Sequence, residues 1–159
     1  MRKIITKKKI LIIAYNFPPD QSAGAKRIYL LIKSLLKKNP DLQITVFTSK
    51  SKRYGGFKNF DIDLNIKLFK FWVPYFGQGP LSTIFSYSFF VLQSFTYIWF
   101  IKTDLIFTTS AKLLTSFLAV LFGKILGVPI LVDIRDTFVD NYFYFYSWKK
   151  RIILVCLFN

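Results

Sequence analysis

From Ile10 to Tyr15 the chain is apolar at every position, and at Asn16 it turns polar and proline-rich. A run without alternation is what a strand buried on both faces requires, because both sides of its pleat must meet apolar neighbours. Residues 25–38 follow a helical period instead. Ile28, Leu31, Ile32 and Leu35 fall on one face, Lys26, Lys33 and Lys37 on the opposite one, and Asn39 and Pro40 stop the helix. Strands are predicted again over Gln43–Thr48 and Ile66–Phe71, with a loop containing Gly55 and Gly56 between them. An uncharged helical region comes next, then a strand over Asp104–Thr108, a helix over Lys112–Leu126 that is apolar nearly all round, and a buried strand over Pro129–Asp133. Alternating strands and helices of this kind predict an α/β fold: a Rossmann-like parallel sheet with helices on both faces. Ligands of such sheets bind beyond the carboxyl ends of the strands. Those ends are residues 16–24, the residues after Thr108, and the stretch beginning at Asp133.

The 159 residues suit a single domain, and 53% hydrophobic content excludes a disordered basic tail. Cys156 stands alone in the apolar run Ile152–Phe158, so no disulfide framework is expected, and it reads as a core thiol. The basic start, Met1–Lys9, leads into only six apolar residues before Asn16, too few for a secretion signal. A cytoplasmic location is expected. Between Phe71 and Ile101 there are 31 residues without a charge. Leu81–Ile101 has the length of a membrane span but is diluted by Ser, Thr and Gln, so three placements stay open: packed on a globular core, lying in a membrane interface, or crossing the bilayer.

Charge and acid content change the picture most. There are 23 Lys or Arg against 8 acids, all Asp, for a net charge of +15, with no Glu and no His. The first 70 residues hold 16 of the cations and 4 of the acids, a net +12. Such a pole wants an anionic surface. Lack of His removes the usual general base and most zinc sites, and lack of Glu removes any glutamate-based step. The loop after the first strand lacks the glycines of a dinucleotide fingerprint and is no P-loop. It offers Ser22, Ala23 and Gly24 opening into a helix N-terminus, where free N–H groups favour an anion, although a tight turn alone would also account for Gly24.

In combination these segments are more specific. The strand ending in Tyr15-Asn16-Phe17-Pro18-Pro19, the Ala23-Gly24-Ala25 turn and the helix beginning Lys26-Arg27 resemble the opening of the glycosyltransferase family 4-like N-terminal domain. Asp104–Ser110 with the following Leu113–Ser116 is similar to that family's fourth strand and next helix. Gly127-Val128-Pro129 leading to Asp133-Ile134-Arg135-Asp136 is similar to its strand ending in an Arg-Asp pair. The resemblance covers nearly the whole chain. It implies the N-terminal half of a GT-B fold: residues 1–159 as one acceptor-side domain, incomplete at its C-terminal end. The donor-binding half would lie on a separate chain or be missing.

The activity implied by the resemblance is retaining transfer of a sugar from a nucleotide donor, with no cofactor and no metal. The nucleotide sugar would be a co-substrate held mainly by the missing domain, so the chain alone is expected to be inactive or nearly so. Asp136 and Ser110 are the candidate catalytic residues. Ser110 stands, with Thr109, where many relatives carry a His. Asp20, Ser22, Gly24, Arg27 and Arg135 are the candidate substrate-binding residues, Arg135 because a guanidinium suits a phosphate or sugar ring. Asp133 reads equally well as structural.

Relatives in bacterial surface-polysaccharide synthesis often act on a lipid-linked sugar acceptor. Lys26, Lys33 and Lys37 with Leu30 between them are therefore candidate contacts for the anionic inner face of the cell membrane, and a plain solvated face fits them too. Two other function classes stay in view. A basic nucleic-acid-binding module suits the charge, but the aromatics sit in apolar runs instead of interleaving with Lys and Arg, so nucleic acid is not the expected partner. An integral membrane protein spanning at Leu81–Ile101 is the other. Binding to anionic liposomes that weakens with added salt is the expected outcome, and co-sedimentation across an ionic-strength series checks it.

Overall fold

The computed structural model describes residues 8–50, 64–74, 80–109 and 113–134. In chain order these form β1 (Lys9–Ile13), α1 (Ala23–Lys38), β2 (Gln43–Lys50), β3 (Ile66–Trp72), α2 (Pro80–Ile98), β4 (Leu105–Thr109), α3 (Leu113–Leu126) and β5 (Ile130–Asp133). The five strands make one parallel sheet in the order β3-β2-β1-β4-β5. The chain thus works outward from β1 to β3, then returns to β1's free side for β4. An α/β Rossmann-like sheet is what the strand and helix periods predicted, and each element lies within three residues of its expected bounds.

β1 is central because it is apolar on both sides of its pleat. On one face Ile12 and Ala14 pack with Phe17, Ile28, Ile32, Ile44 and Val46, which docks α1 over β1 and β2. On the other, Leu11, Ile13 and Tyr15 join Phe47, Phe71 and Phe90 beneath α2 and α3. Backbone registry aligns side chains into rows: Leu68, Val46, Ile12, Phe107 and Leu131 cross the whole sheet on the α1 face. Ile12 is fully buried at the centre of that row, while Leu131 at the β5 edge is 54% exposed. The expectation of a fully buried strand at Pro129–Asp133 therefore needs correction. β5 is an edge strand, and no described element covers it on the α1 face, since α1 sits over β1 and β2.

The β1 and β4 entry points are clasped together. The Lys9 N–H donates to Asp104 Oδ2 at 2.8 Å, the Asp104 N–H donates back to the Lys9 carbonyl at 2.8 Å, and Thr103 Oγ1 donates to that same carbonyl at 3.1 Å. α3 ends at Gly127, whose φ of 65° takes the left-handed conformation that ends helices. The Val128 N–H then returns to the Gly123 carbonyl at 3.1 Å. Gly123 itself lies where α3 meets β5, and a Cβ there would overlap the Ile130 side chain.

Of the three placements open for Leu81–Ile101, the observed α2 packs on the sheet: Tyr87, Phe90 and Ile98 are in the core beneath it. Among the described residues no helix is long and apolar enough to cross a membrane. Cys156 lies outside the described residues.

Burial sets the expected mutational contrast. Phe122→Ala should cost about 3–5 kcal/mol, whereas Leu92→Ala, on the exposed side of α2, should stay within about 0.5 kcal/mol. Urea unfolding of the two variants beside the parent checks both figures.

Candidate functional site

The strand order reverses direction between β1 and β4, so a crevice opens beyond their carboxyl ends. Its first wall is the loop after β1. Phe17 is buried in the α1-side core, Pro18 beside it is buried, the Pro18–Pro19 bond is cis, and the Asp20 N–H closes the turn onto the Phe17 carbonyl at 3.1 Å. Tyr15, at the exit of β1, stacks on Tyr87 of α2 with centroids 4.1 Å apart, and its carbonyl accepts from Ser49 N at 3.0 Å and from Ser49 Oγ at 2.7 Å. The loop is thereby held from both layers.

Asp20 and Ser22 have local roles that residue type alone forecasts. Asp20 Oδ1 accepts from the Ser22 N–H at 2.7 Å. Ser22 is the N-cap of α1, with its Oγ accepting from the Ala25 N–H at 3.3 Å. Gly24 lies in the first turn of α1 and is part-buried. This N-terminus points its remaining free N–H groups and positive dipole end toward the mouth of the crevice, and no acidic residue occupies its first turn.

Arg27, one turn further on, reaches across that mouth. Its Nη2 lies 3.2 Å from both carboxylate oxygens of Asp133, the last residue of β5 and 106 positions away. The Arg27 side chain is 55% exposed and Asp133 25%, so the pair is a solvent-accessible link whose worth to folding is small. Among the described residues the Arg27 guanidinium pairs with Asp133 through Nη2, and it carries more N–H donors than that pair uses.

Thr109 completes the group. It ends β4, pairs in register with Asp133, and is buried, yet its Oγ1 has no hydrogen-bond partner among the described residues. Its neighbour Thr108 faces the other way and donates to the Ile13 carbonyl at 2.9 Å. A buried hydroxyl without a partner costs about 1–3 kcal/mol, so Thr109 stands out as a group with unused capacity at the crevice floor.

Of the sequence-derived candidates, the structure thus brings Asp20, Ser22, Gly24 and Arg27 to one edge of the crevice, with Asp133 opposite. Ser110, Arg135 and Asp136 lie outside the described residues. Lys26, Leu30, Lys33 and Lys37 are on the outer side of α1, with Leu30 60% exposed. Sequence reasoning missed the Arg27–Asp133 pairing and the isolation of the Thr109 hydroxyl. Neither has a local signal, because one spans most of the chain and the other depends on what fails to reach β4. Among the described residues no three His, Cys, Asp or Glu side chains gather to hold a metal. A groove of about 470 Å³ lined by Lys9, Asp41, Lys67, Phe100 and Lys102 lies at the amino ends of the strands, opposite the crevice. That edge is not the one parallel sheets use for ligands.

No family model matches the chain, and no curated protein sequence matches it either. Among solved structures it is similar to the C-terminal domain of a hydrogenase from Pyrococcus furiosus, at 16% identity and a TM-score of 0.51, over 82% of this chain and 96% of that one. A second structure of the same domain gives 15% identity and a TM-score of 0.49 over 80% and 90%. At this identity the likeness is one of fold.

Ser22→Ala should lower stability by about 1 kcal/mol and Ser22→Gly by only a few tenths, because glycine still suits an N-cap. Asp133→Asn should cost less than about 1 kcal/mol, as befits a half-exposed pair. Denaturant titration of the three variants reads these differences.

Proposed function

We propose that this chain is the acceptor-binding half of a retaining, nucleotide-sugar-dependent glycosyltransferase, working at the cytoplasmic face of a cell membrane in surface-polysaccharide assembly. In the family it resembles, the nucleotide sugar is held mainly by the other half of the fold. The reading draws on the family resemblance of the Phe17-Pro18-Pro19 loop, the Ala23-Gly24-Ala25 turn and the Arg135-Asp136 pair. One observation carries it: Arg27, Asp133, the Thr109 hydroxyl and the N-terminus of α1 converge at the strand-order reversal.

That set of groups suits a phosphorylated sugar acceptor. The helix N-terminus and the further N–H donors of Arg27 attract a phosphate, and do so best where water is partly excluded. Thr109 Oγ1 can donate to or accept from a sugar hydroxyl. Asp133 holds the guanidinium in place and leaves its other edge for the ligand. Ser110 follows β4 in sequence and Arg135 and Asp136 follow β5, all three outside the described residues. In this reading Asp136 orients the acceptor hydroxyl, Arg135 binds phosphate or the sugar ring, and Ser110 donates a hydrogen bond in place of the imidazole that many relatives carry. In this reading residues 1–159 supply the acceptor side, and tested by themselves they bind acceptor and turn over little or none.

Isothermal titration with a water-soluble, short-prenyl diphosphate sugar should show one-to-one binding, and a nucleotide sugar should show none. Arg27→Ala and Thr109→Val should each weaken acceptor binding about tenfold, the loss of one hydrogen bond to a charged or buried partner. Thr109→Val should leave the unfolding midpoint unchanged or raise it, because it removes a buried hydroxyl that has no partner among the described residues. Tight nucleotide-sugar binding with no acceptor binding would sink the proposal.

A further inference from the structure

Helices α2 and α3 are apolar on both sides. On α2 Tyr87, Phe90 and Ile98 pack against the sheet with Ser82, Ser86 and Ser94 between them, while Ile84, Phe85, Phe89 and Leu92, with Trp99 just after the helix, face outward. On α3 the buried side holds Leu118 and Phe122 with Thr115, Ala119 and Gly123, and the outer side presents Leu114, Phe117, Val120 and Ile125. An ordinary surface helix turns a polar side outward, and a helix that is apolar all round is one whose outer side also meets an apolar medium. The two helices meet through Phe95 and Phe122, with centroids 6.0 Å apart, so their outer sides form one continuous face. Leu92 is 67% exposed and Phe117 66%, values far from those of an isolated stray hydrophobe in a polar surface.

Charge identifies the occupant. α2 has no charged residue and α3 has only Lys124, so neither helix carries a carboxylate on the face. At its lower end, where Tyr97, Trp99 and Phe100 are exposed, Lys9, Lys67 and Lys102 line a groove with Phe100 and outnumber the acids there, Asp41 in that groove and Asp104 beside Trp99. Protein interfaces ring an apolar centre with polar groups, whereas Trp and Tyr beside Lys at the rim of an apolar face match the level of lipid headgroups. Neither helix is long and apolar enough to cross, which leaves the face to lie on the bilayer.

We infer that the outer face of α2 and α3 is the surface with which this protein sits on an anionic membrane, with Leu92, Phe117, Phe85 and Trp99 in the acyl boundary. α1, with Lys26, Leu30, Lys33 and Lys37, packs on the opposite side of the sheet. A flat bilayer can meet only one of the two. The inference deepens the membrane location in the proposed function and rests on that part of it, independent of the sugar chemistry.

Co-sedimentation with phosphatidylcholine vesicles, with and without phosphatidylglycerol, tests it. The parent should bind the mixed vesicles more strongly than the neutral ones. Leu92→Asp and Phe117→Asp should each lower binding about tenfold or more, the equivalent of withdrawing one large apolar side chain from the acyl region. Circular dichroism should stay unchanged, since both positions are on the outer side. Leu30→Asp, on α1, should bind as the parent does. Equal binding by the Leu92 and Phe117 variants, or loss of binding only in Leu30→Asp, would overturn the inference. So would a parent that forms a dimer without lipid, ignores vesicles and becomes monomeric on Leu92→Asp, since a second copy would then own the face. The acceptor titration uses a soluble ligand without vesicles, so its failure and the failure of this test are separable.

Discussion

β1 has no solvent-facing side: Leu11, Ile12 and Ile13 are fully buried, with a strand on each flank and a helical layer over each face. Such a strand can be satisfied only at the centre of a covered parallel sheet, and that constraint fixes most of the remaining topology. With β2 and β3 on one side, β4 must take the other edge of β1, and the reversal of strand order falls beside it. The crevice is therefore a consequence of how apolar the first strand is. Clasping at Lys9, Thr103 and Asp104 keeps β1 and β4 in register from below, so their carboxyl ends present a fixed floor above.

On that floor, local and long-range interactions divide the work. Asp20 and Ser22 spend their oxygens on the backbone of the turn and of α1, which makes them builders of the anion-attracting helix end rather than direct ligands. Arg27 and Asp133 connect the α1 layer to the sheet edge through a solvent-accessible pair that adds little to stability. Thr109 is the complementary case, a buried hydroxyl that folding leaves without a described partner. Groups that fold poorly satisfied and converge at a topological switch are where ligand recognition is concentrated in this architecture.

The two outer layers of the molecule are chemically unlike. α1 shows the familiar division of a buried apolar stripe and an exposed lysine face. α2 and α3 bury Tyr87, Phe90, Ile98, Leu118 and Phe122 with small residues between them, and still turn phenylalanine and leucine outward. Close packing explains the inner residues: Gly123 admits Ile130 where even a methyl group would not fit, and Ser86 folds its hydroxyl back to the Ser82 carbonyl at 2.8 Å within its own helix. The outer side is apolar and without carboxylates, the two features on which the inferred membrane contact rests.

Period and composition were enough to determine the α/β class, the parallel order of elements, the loop at Asn16–Gly24 and the absence of any His or Glu chemistry. These are readable because they depend on residues close in sequence, where spacing translates directly into a strand pleat or a helix face. Ser22, read as a substrate-binding candidate in the turn before the helix, is the N-cap of α1, a role its residue type favours. The alliance of Arg27 with Asp133, the isolation of Thr109, the half-open edge at Leu131 and the outward side of α2 were decided only in three dimensions. Each depends on which element lies above or beside another, and a helix that is apolar on every side gives no period to say which face it buries. The side that faces in was settled by what the sheet offers: Tyr87, Phe90, Ile98, Leu118 and Phe122 fill the core with small residues between them, and Ile84, Leu92 and Phe117 were left outside.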